Sequence, residues 1–265
     1  MSAVTFDMQI AGYLLRAQKI NISSSMNEQN GPTLVFLHEG LGSIEHWKGF
    51  PSRLCKNVGI NGLVYDRKGY GGSDPCTGLW PKDYLIEEAT VDLPELLKAC
   101  GIRDAILIGH SDGGSIALLA AATLKDVVRG AITEAAHIFV ENETLHGIHR
   151  FLRFYNKNDE LKHKLSRYHG KNVDRVVQRW AGTWLAPGFR DWNIEHFLPK
   201  ITCPILVLQG KNDEYATVRQ VDKIVDQVAG PVFWKIIPGC GHTPHIQAAD
   251  HTLALMSEFI LSIVQ

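Results

Sequence analysis

The sequence predicts an α/β protein with a mostly parallel central sheet that is flanked by helices. Short segments that are apolar from end to end alternate with amphipathic helical segments along the chain. Continuous apolar runs are typical of strands buried on both faces of a parallel sheet, and the intervening helices supply the cover for those faces. Residues 140–199 show no such strand pattern, which predicts a helical insertion.

Eight strands are predicted. The first twenty residues form two of them, as a hairpin that turns near Ala11 and Gly12. The other six are apolar segments, most of them bounded by turn residues. These segments are residues 33–37, 62–65, 105–108, 131–133, 205–209 and 232–237.

The spacing of apolar residues predicts the helices between these strands. Residues 115–124 are apolar nearly all round, which is typical of a buried helix. Residues 88–100 form a helix closed by Gly101, with a kink or a new start at Pro94. Residues 218–228 and 253–263 carry apolar residues at helical spacing.

The insertion at residues 140–199 interrupts the sheet in sequence. Helical stripes at residues 145–155 and 173–184 predict that it is mostly helical. It is too long for an ordinary loop, which favours a functional lid. Its four histidines lack ligand spacing and are expected at the surface; they are His146, His149, His163 and His169.

Composition excludes several classes of protein. The chain has 265 residues, with 27 Lys and Arg against 28 Asp and Glu. Charge blocks of five and apolar runs near the roughly 20 residues of a membrane helix are absent from the sequence. We therefore expect no nucleic-acid partner and no membrane partner. Five irregularly spaced cysteines and an N-terminus unlike a signal peptide predict a cytoplasmic protein, while the oligomeric state stays open.

The strongest chemical signal is the sequence GHSDGG at residues 109–114. It follows a predicted strand and precedes the predicted buried helix. A Gly-x-Ser-x-Gly sequence in this context makes a sharp turn that exposes Ser111 above the sheet. The start of the helix behind Ser111 favours developing negative charge. This context predicts that Ser111 is a nucleophile.

A nucleophilic serine needs a base, and the base needs an acid that orients it. Asp213 follows the strand at 205–209, and His242 follows the strand at 232–237. Both therefore lie beyond the carboxyl ends of strands, where open α/β sheets place their sites. The order serine, acid, histidine at three strand ends predicts a catalytic triad.

At these residues the chain resembles the α/β-hydrolase superfamily, in particular its capped serine hydrolases. The segment YDRKGYGGS at residues 65–73 is similar to the family's Asp-x-x-Gly-x-Gly-x-Ser. The resemblance implies a hydrolase core at 1–139 and 200–265, with a helical cap at 140–199. It also implies Ser111 as nucleophile, His242 as general base and Asp213 as acid. Glu214 is a rival for the acid, and relatives that place the acid after the preceding strand point to Glu134.

The resemblance further implies an oxyanion hole formed by the backbone N–H groups of Gly40 and Asp112. The family usually has His-Gly after the strand at 33–37, whereas this chain has Glu39 in place of the glycine. The Glu39 carboxylate contacts substrate, orients the loop or faces solvent. With Glu39, the residues expected to line the substrate pocket are Leu41, Trp180 and Trp184.

The resemblance implies a serine hydrolase that cleaves a small carboxylic ester, thioester or lactone. We expect a small-molecule substrate, because the predicted cap would cover Ser111. The mechanism needs no metal and no organic cofactor. One alternative is hydrolysis of carbon–carbon bonds in diketones of the ring-cleavage type, which relatives perform with the same triad. Another is a receptor for small molecules without turnover, because fold alone does not determine function.

Overall fold

The central sheet has eight strands in the order β1-β2-β4-β3-β5-β6-β7-β8 among the described residues. A computed structural model describes residues 1–22 and 31–264. All eight predicted strands are present. Three of them extend beyond their predicted bounds, by one, two and four residues. The strands are β1 (Ser2–Ile10), β2 (Tyr13–Asn21), β3 (Thr33–Leu37), β4 (Gly62–Tyr65), β5 (Ala105–His110), β6 (Val128–Glu134), β7 (Ile205–Gly210) and β8 (Val232–Ile237).

The sheet is parallel from β4 to β8, and the N-terminal hairpin joins it antiparallel through β2. Ala11 and Gly12 turn the hairpin with φ of 48° and 84°. Two successive positive φ angles are the requirement of the two-residue turn that matches strand twist. In β3, Val35 and Leu37 pack on one face of the sheet and Leu34 and Phe36 on the other. The sheet is therefore covered on both sides, as the apolar runs predict.

Strand β8 departs from this pattern. It pairs with β7 on one side and, within the described residues, forms the edge of the sheet. Phe233 and Trp234 are 52% and 55% exposed. Their apolar character alone therefore predicts more burial than this edge position provides.

Helices flank the sheet. The apolar stretch at 115–124 lies in α4, which is buried almost throughout. Of the two alternatives predicted at Pro94, a new start is found rather than a simple kink. The chain forms α2 (Tyr84–Glu87), a π-helical turn at Glu88–Asp92 and then α3 (Leu93–Ala99). Pro94 lacks the N–H that would bond the carbonyl four residues earlier. Just before it the helix is wider, since the Leu93 N–H donates to the Glu88 carbonyl. The helices of the core are α1 (Phe50–Val58), α2 (Tyr84–Glu87), α3 (Leu93–Ala99) and α4 (Asp112–Thr123).

Residues 140–199 contain three α-helices, which include both predicted helical stripes. They are α5 (Asn142–Tyr155), α6 (Asp159–His169) and α7 (Val173–Leu185). Short 3₁₀ turns at Pro187–Phe189 and Glu195–Lys200 lead back to β7. Because β6 pairs directly with β7, this segment leaves the sheet continuous.

The chain ends with helices on the sheet. They are α8 (Arg219–Gln227), α9 (Pro244–Gln247) and α10 (Ala249–Val264). Within the described ranges, every helix is too short or too polar to cross a bilayer.

Candidate active site

Ser111 lies in a strained turn between β5 and α4, with φ of 52° and ψ of −116°. Such backbone angles cost a non-glycine residue on the order of 1–3 kcal/mol. Hydrogen bonds on both sides hold the turn: the Ser111 N–H donates to the Glu134 carbonyl at 2.8 Å, and the Ser115 N–H donates to the Ser111 carbonyl at 3.0 Å. The strain is therefore imposed by the surrounding strands and helix.

The glycines of the GHSDGG motif are required by close packing. A Cβ atom at Gly109 would lie 2.1 Å from the Gly113 carbonyl oxygen. A Cβ atom at Gly113 would lie 2.0 Å from the Leu37 carbonyl oxygen. Any side chain at either position would push α4 away from the sheet and so displace Ser111.

Asp213 and His242 form a hydrogen-bonded pair. The His242 Nδ1 donates to Asp213 Oδ1 at 2.9 Å, and the Tyr215 N–H donates to the same oxygen at 2.9 Å. The Asp213 side chain is buried, and burial alone would raise its pKa. The charge and the hydrogen bond of His242 outweigh burial and hold this pKa below its ordinary value. Asp213 is thus an ionised acceptor that fixes the tautomer of His242.

The two rival acids have other partners. Glu214 Oε2 accepts the backbone N–H of His242 at 3.1 Å, so this carboxylate bonds the loop and not the imidazole. Glu134 is fully buried at the end of β6 and accepts from Nδ1 of His245 at 2.5 Å. Glu134 and Asp213 therefore bond different histidines, His245 and His242.

Ser111 and His242 line one cavity of about 250 Å³ beneath α5, α6 and α7. The four residues expected at the substrate pocket also line this cavity, and so do the two expected in the oxyanion hole. They are Glu39, Leu41, Trp180 and Trp184, and Gly40 and Asp112. By area, the cavity wall as a whole is largely apolar. Its other apolar side chains are Ile148, Phe151, Leu161, Leu165 and Tyr215.

The loop that follows β3, residues 38–43, is called the oxyanion loop below, after the role expected of Gly40. Its Gly40 packs directly against Trp180 of α7. A Cβ atom at Gly40 would lie only 2.2 Å from Trp180 Cδ1. Opposite it, Asp112 begins α4, whose first N–H groups lack helical acceptors. The Asp112 carboxylate instead accepts from the Tyr84 hydroxyl at 2.8 Å and lies 3.6 Å from Arg67 Nη1. The Asp112 carboxylate thus contacts Tyr84 and Arg67, two buried residues of the core.

The segment at residues 65–73 supports the oxyanion loop from below. The Asp66 carboxylate accepts the N–H groups of Ile44 and Gly72, both at 2.7 Å. Arg67 is fully buried, and its Nε donates to Glu88 at 2.8 Å. The segment therefore has a structural role beside the site.

Glu39 lies between two imidazoles. Its Oε1 is 3.2 Å from His46 Nδ1, and its Oε2 is 3.3 Å from His110 Nδ1. Burial would raise the pKa of Glu39, but the two imidazoles outweigh it and hold this pKa well below the ordinary value. Burial would lower the pKa of His110, but Glu39 raises it to about 9. The carboxylate thus contacts two imidazoles and also lines the cavity.

His169 corrects one expectation about the insertion. Three of its four histidines are exposed, but His169 is buried. Its Nε2 donates to the Leu41 carbonyl at 2.9 Å, and its Nδ1 accepts the Gly71 N–H at 3.1 Å. His169 therefore connects the end of α6 to the oxyanion loop, a contact that spacing within one helix does not reveal.

Sequence reasoning missed several residues of the site. His137 and Tyr215 line the cavity, with ring centroids 5.9 Å and 4.7 Å from that of His242. His137 comes three residues after β6, and Tyr215 follows Asp213 closely, so both share the strand-end position that points to the triad. His46 carries no comparable sequence signal. Within the described part of the chain, no cluster of three or more His, Cys, Asp and Glu side chains is arranged to bind a metal ion.

The alpha/beta hydrolase family model matches residues 34–254. The chain belongs to this family. It is 29% identical over 202 residues to serine hydrolase BPHL of Homo sapiens, covering 75% of this chain and 68% of that protein. It is 28% identical over 269 residues to a proline iminopeptidase of Saccharolobus solfataricus, covering 86% and 84% of the two chains.

Solved structures show the same fold. A membrane phospholipase A, described as a bacterial virulence factor, superposes with a TM-score of 0.79 at 21% identity. The match covers 98% of this chain and 86% of that structure. The fold and the family are thus those that the residues around Ser111 imply, and the family membership supports hydrolase activity.

Proposed function

We propose that this chain is a serine hydrolase that cleaves a small carboxylic ester through an acyl-enzyme on Ser111. The observation that carries the proposal is the strained Ser111 in one cavity with His242, whose Nδ1 is bonded to the buried Asp213 carboxylate. A serine, a histidine and an acid in these roles are the apparatus of acyl transfer. The serine hydrolase named among its relatives supports the same chemistry.

In the proposed reaction, the Ser111 hydroxyl attacks the ester carbonyl while His242 Nε2 takes its proton. The N–H groups of Gly40 and Asp112 stabilise the oxyanion. His242 then protonates the leaving alcohol, and the acyl-enzyme remains. A water molecule, deprotonated by His242, releases the carboxylic acid and restores the Ser111 hydroxyl. Asp213 stabilises the His242 imidazolium during both acylation and deacylation.

We further propose that residues 140–199 act as a cap over a core formed by residues 1–139 and 200–265. Helices α5 and α7 supply Ile148, Phe151, Trp180 and Trp184 to the cavity wall. A largely apolar space of about 250 Å³ is suited to a short acyl group. The cap therefore limits the size of the substrate.

A fluorophosphonate probe tests the proposed nucleophile. We expect one covalent adduct per chain, located on the peptide that contains Ser111 by mass spectrometry, and turnover of 4-nitrophenyl acetate. An unlabelled and inactive native protein would favour the receptor alternative. Faster cleavage of a ring-cleavage-type diketone than of any ester in a panel would favour the carbon–carbon hydrolase.

Trp180→Ala tests the cap as the limit on substrate size. Removal of the indole enlarges the cavity beside Gly40, so the ratio of kcat/KM for octanoate over acetate nitrophenyl esters should rise on the order of tenfold. Phe154→Ala is the matched control, because Phe154 lies in the same segment but is 57% exposed and does not line the cavity. An unchanged ratio in Trp180→Ala would contradict the role of this side chain.

A further inference from the structure

Two loops and the end of β5 meet at the Glu39 and His110 side chains. Glu39 precedes Gly40, His110 precedes Ser111, and His110 Nε2 donates to the carbonyl oxygen of His242 itself at 2.8 Å. Glu39 Oε2 lies 3.3 Å from the other ring nitrogen of His110. One chain of two hydrogen bonds thus runs from the oxyanion loop, through the residue beside the nucleophile, to the base.

We propose that Glu39 and His110 form an ion pair that positions the oxyanion loop and His242 relative to Ser111. The inference rests on the proposed acyl transfer at Ser111 and assigns both residues as positioning residues. It gives a reason for a carboxylate at position 39, where the family usually has glycine.

The backbone on the Glu39 side is held in place. Buried His38 donates from Nδ1 to the Glu39 carbonyl at 2.7 Å, and its Nε2 accepts the Arg67 N–H at 2.9 Å. The Gly42 N–H donates to the same Glu39 carbonyl at 3.0 Å. Because the main chain of Glu39 is fixed in this way, its carboxylate transmits the position of the loop to His110.

The pair also balances charge at the cavity. Glu39 lines the cavity beside Gly40, where an unpaired carboxylate would oppose the developing oxyanion. His46 is the second imidazole at this carboxylate, and its side chain is 24% exposed, whereas that of His110 is 2% exposed. The buried His110 is therefore the partner whose charge is least screened by solvent.

The groups around His110 define its titration. Glu39 faces it from the oxyanion loop, Glu134 from the end of β6, and the rings of His242 and His245 each lie 5.1 Å away. Burial opposes protonation, but Glu39 and then Glu134 favour it and raise the pKa of His110 to about 9. The imidazolium is thus present at neutral pH and is lost as the pH rises through about 9.

Single and double substitutions test the pair. For 4-nitrophenyl acetate, we expect kcat to fall about tenfold in Glu39→Gln. In His110→Gln it should fall about a hundredfold, because the Glu39 charge then lacks its buried partner and keeps only the more exposed His46. The double variant should recover part of the loss of His110→Gln, while KM stays within about twofold throughout. Glu45→Gln is the matched control, since Glu45 is exposed on the turn that follows the oxyanion loop.

The pH profile separates positioning from a general loss of structure. Native kcat should decline above about pH 9, and this decline should be absent in Glu39→Gln, because His110 then lacks the carboxylate that contributes most to raising its pKa. NMR titration of the native protein, with His110→Gln identifying the signal, should give a pKa of His110 near 9. A His110 pKa at or below the ordinary histidine range would refute the ion pair, and this result would not require the kinetics of any variant.

Several results would overturn the inference. Additive losses in the double variant, unchanged kcat in Glu39→Gln, or an unchanged decline near pH 9 would each do so. These failures differ from a failure of the proposed function, in which the native protein itself neither reacts with the fluorophosphonate nor cleaves the ester.

Discussion

Replacement of Ser111 by alanine should lower kcat for 4-nitrophenyl acetate on the order of 10⁵- to 10⁶-fold and abolish fluorophosphonate labelling. Alanine removes the only atom that forms the acyl-enzyme, whereas the oxyanion donors and the cavity remain. The measurement is steady-state ester hydrolysis together with intact-mass analysis after exposure to the probe.

Ser262→Ala is a suitable control, because Ser262 is an exposed serine of α10 remote from the cavity. Thermal unfolding should show that both variants fold. A Ser111→Ala protein that folds and still turns over the ester at the native rate would contradict the covalent mechanism.

Asp213→Asn should lower kcat by about 10⁴-fold with little change in KM. An asparagine amide that donates to Nδ1 of His242 places the imidazole proton on Nε2, where it blocks acceptance of the Ser111 proton. The native carboxylate is ionised at neutral pH, since His242 holds its pKa below the ordinary range. Steady-state kinetics at pH 7–8 measure the effect.

Glu134→Gln provides the comparison that decides between the two acids. Because Glu134 bonds His245 and not His242, kcat should fall by less than about tenfold. The free energy of unfolding should decrease by about 1–3 kcal/mol, since a buried charged hydrogen bond is weakened. A larger loss of kcat in Glu134→Gln than in Asp213→Asn would reverse the assignment of the acid.

Most of the fold can be predicted from the sequence because its strongest signals are local. Apolar runs such as 205–209 require burial on both faces, and Ala11-Gly12 meets the demands of a tight turn. The position of a strand within the sheet, in contrast, does not depend on its local sequence. The run at 232–237 is as apolar as its neighbours, yet β8 forms the edge of the described sheet and exposes Trp234.

The residues of the candidate site also fall into two groups, those that local sequence identifies and those that only long-range contacts identify. Ser111, Asp213 and His242 can be singled out because each follows a strand, and the carboxyl ends of parallel strands share one edge of the sheet. The contact of His110 with Glu39 joins positions 71 residues apart, and that of His169 with Leu41 joins positions 128 apart. Such contacts depend on how loops and helices pack, which apolar periodicity does not encode.

The contact between Gly40 and Trp180 has an evolutionary consequence. Since even one methyl group at position 40 would overlap the indole, the two positions cannot vary independently. A descendant that acquires a side chain at position 40 must also reduce position 180. Diversification of this lineage toward larger substrates is therefore expected to proceed first through position 180, with the glycine retained.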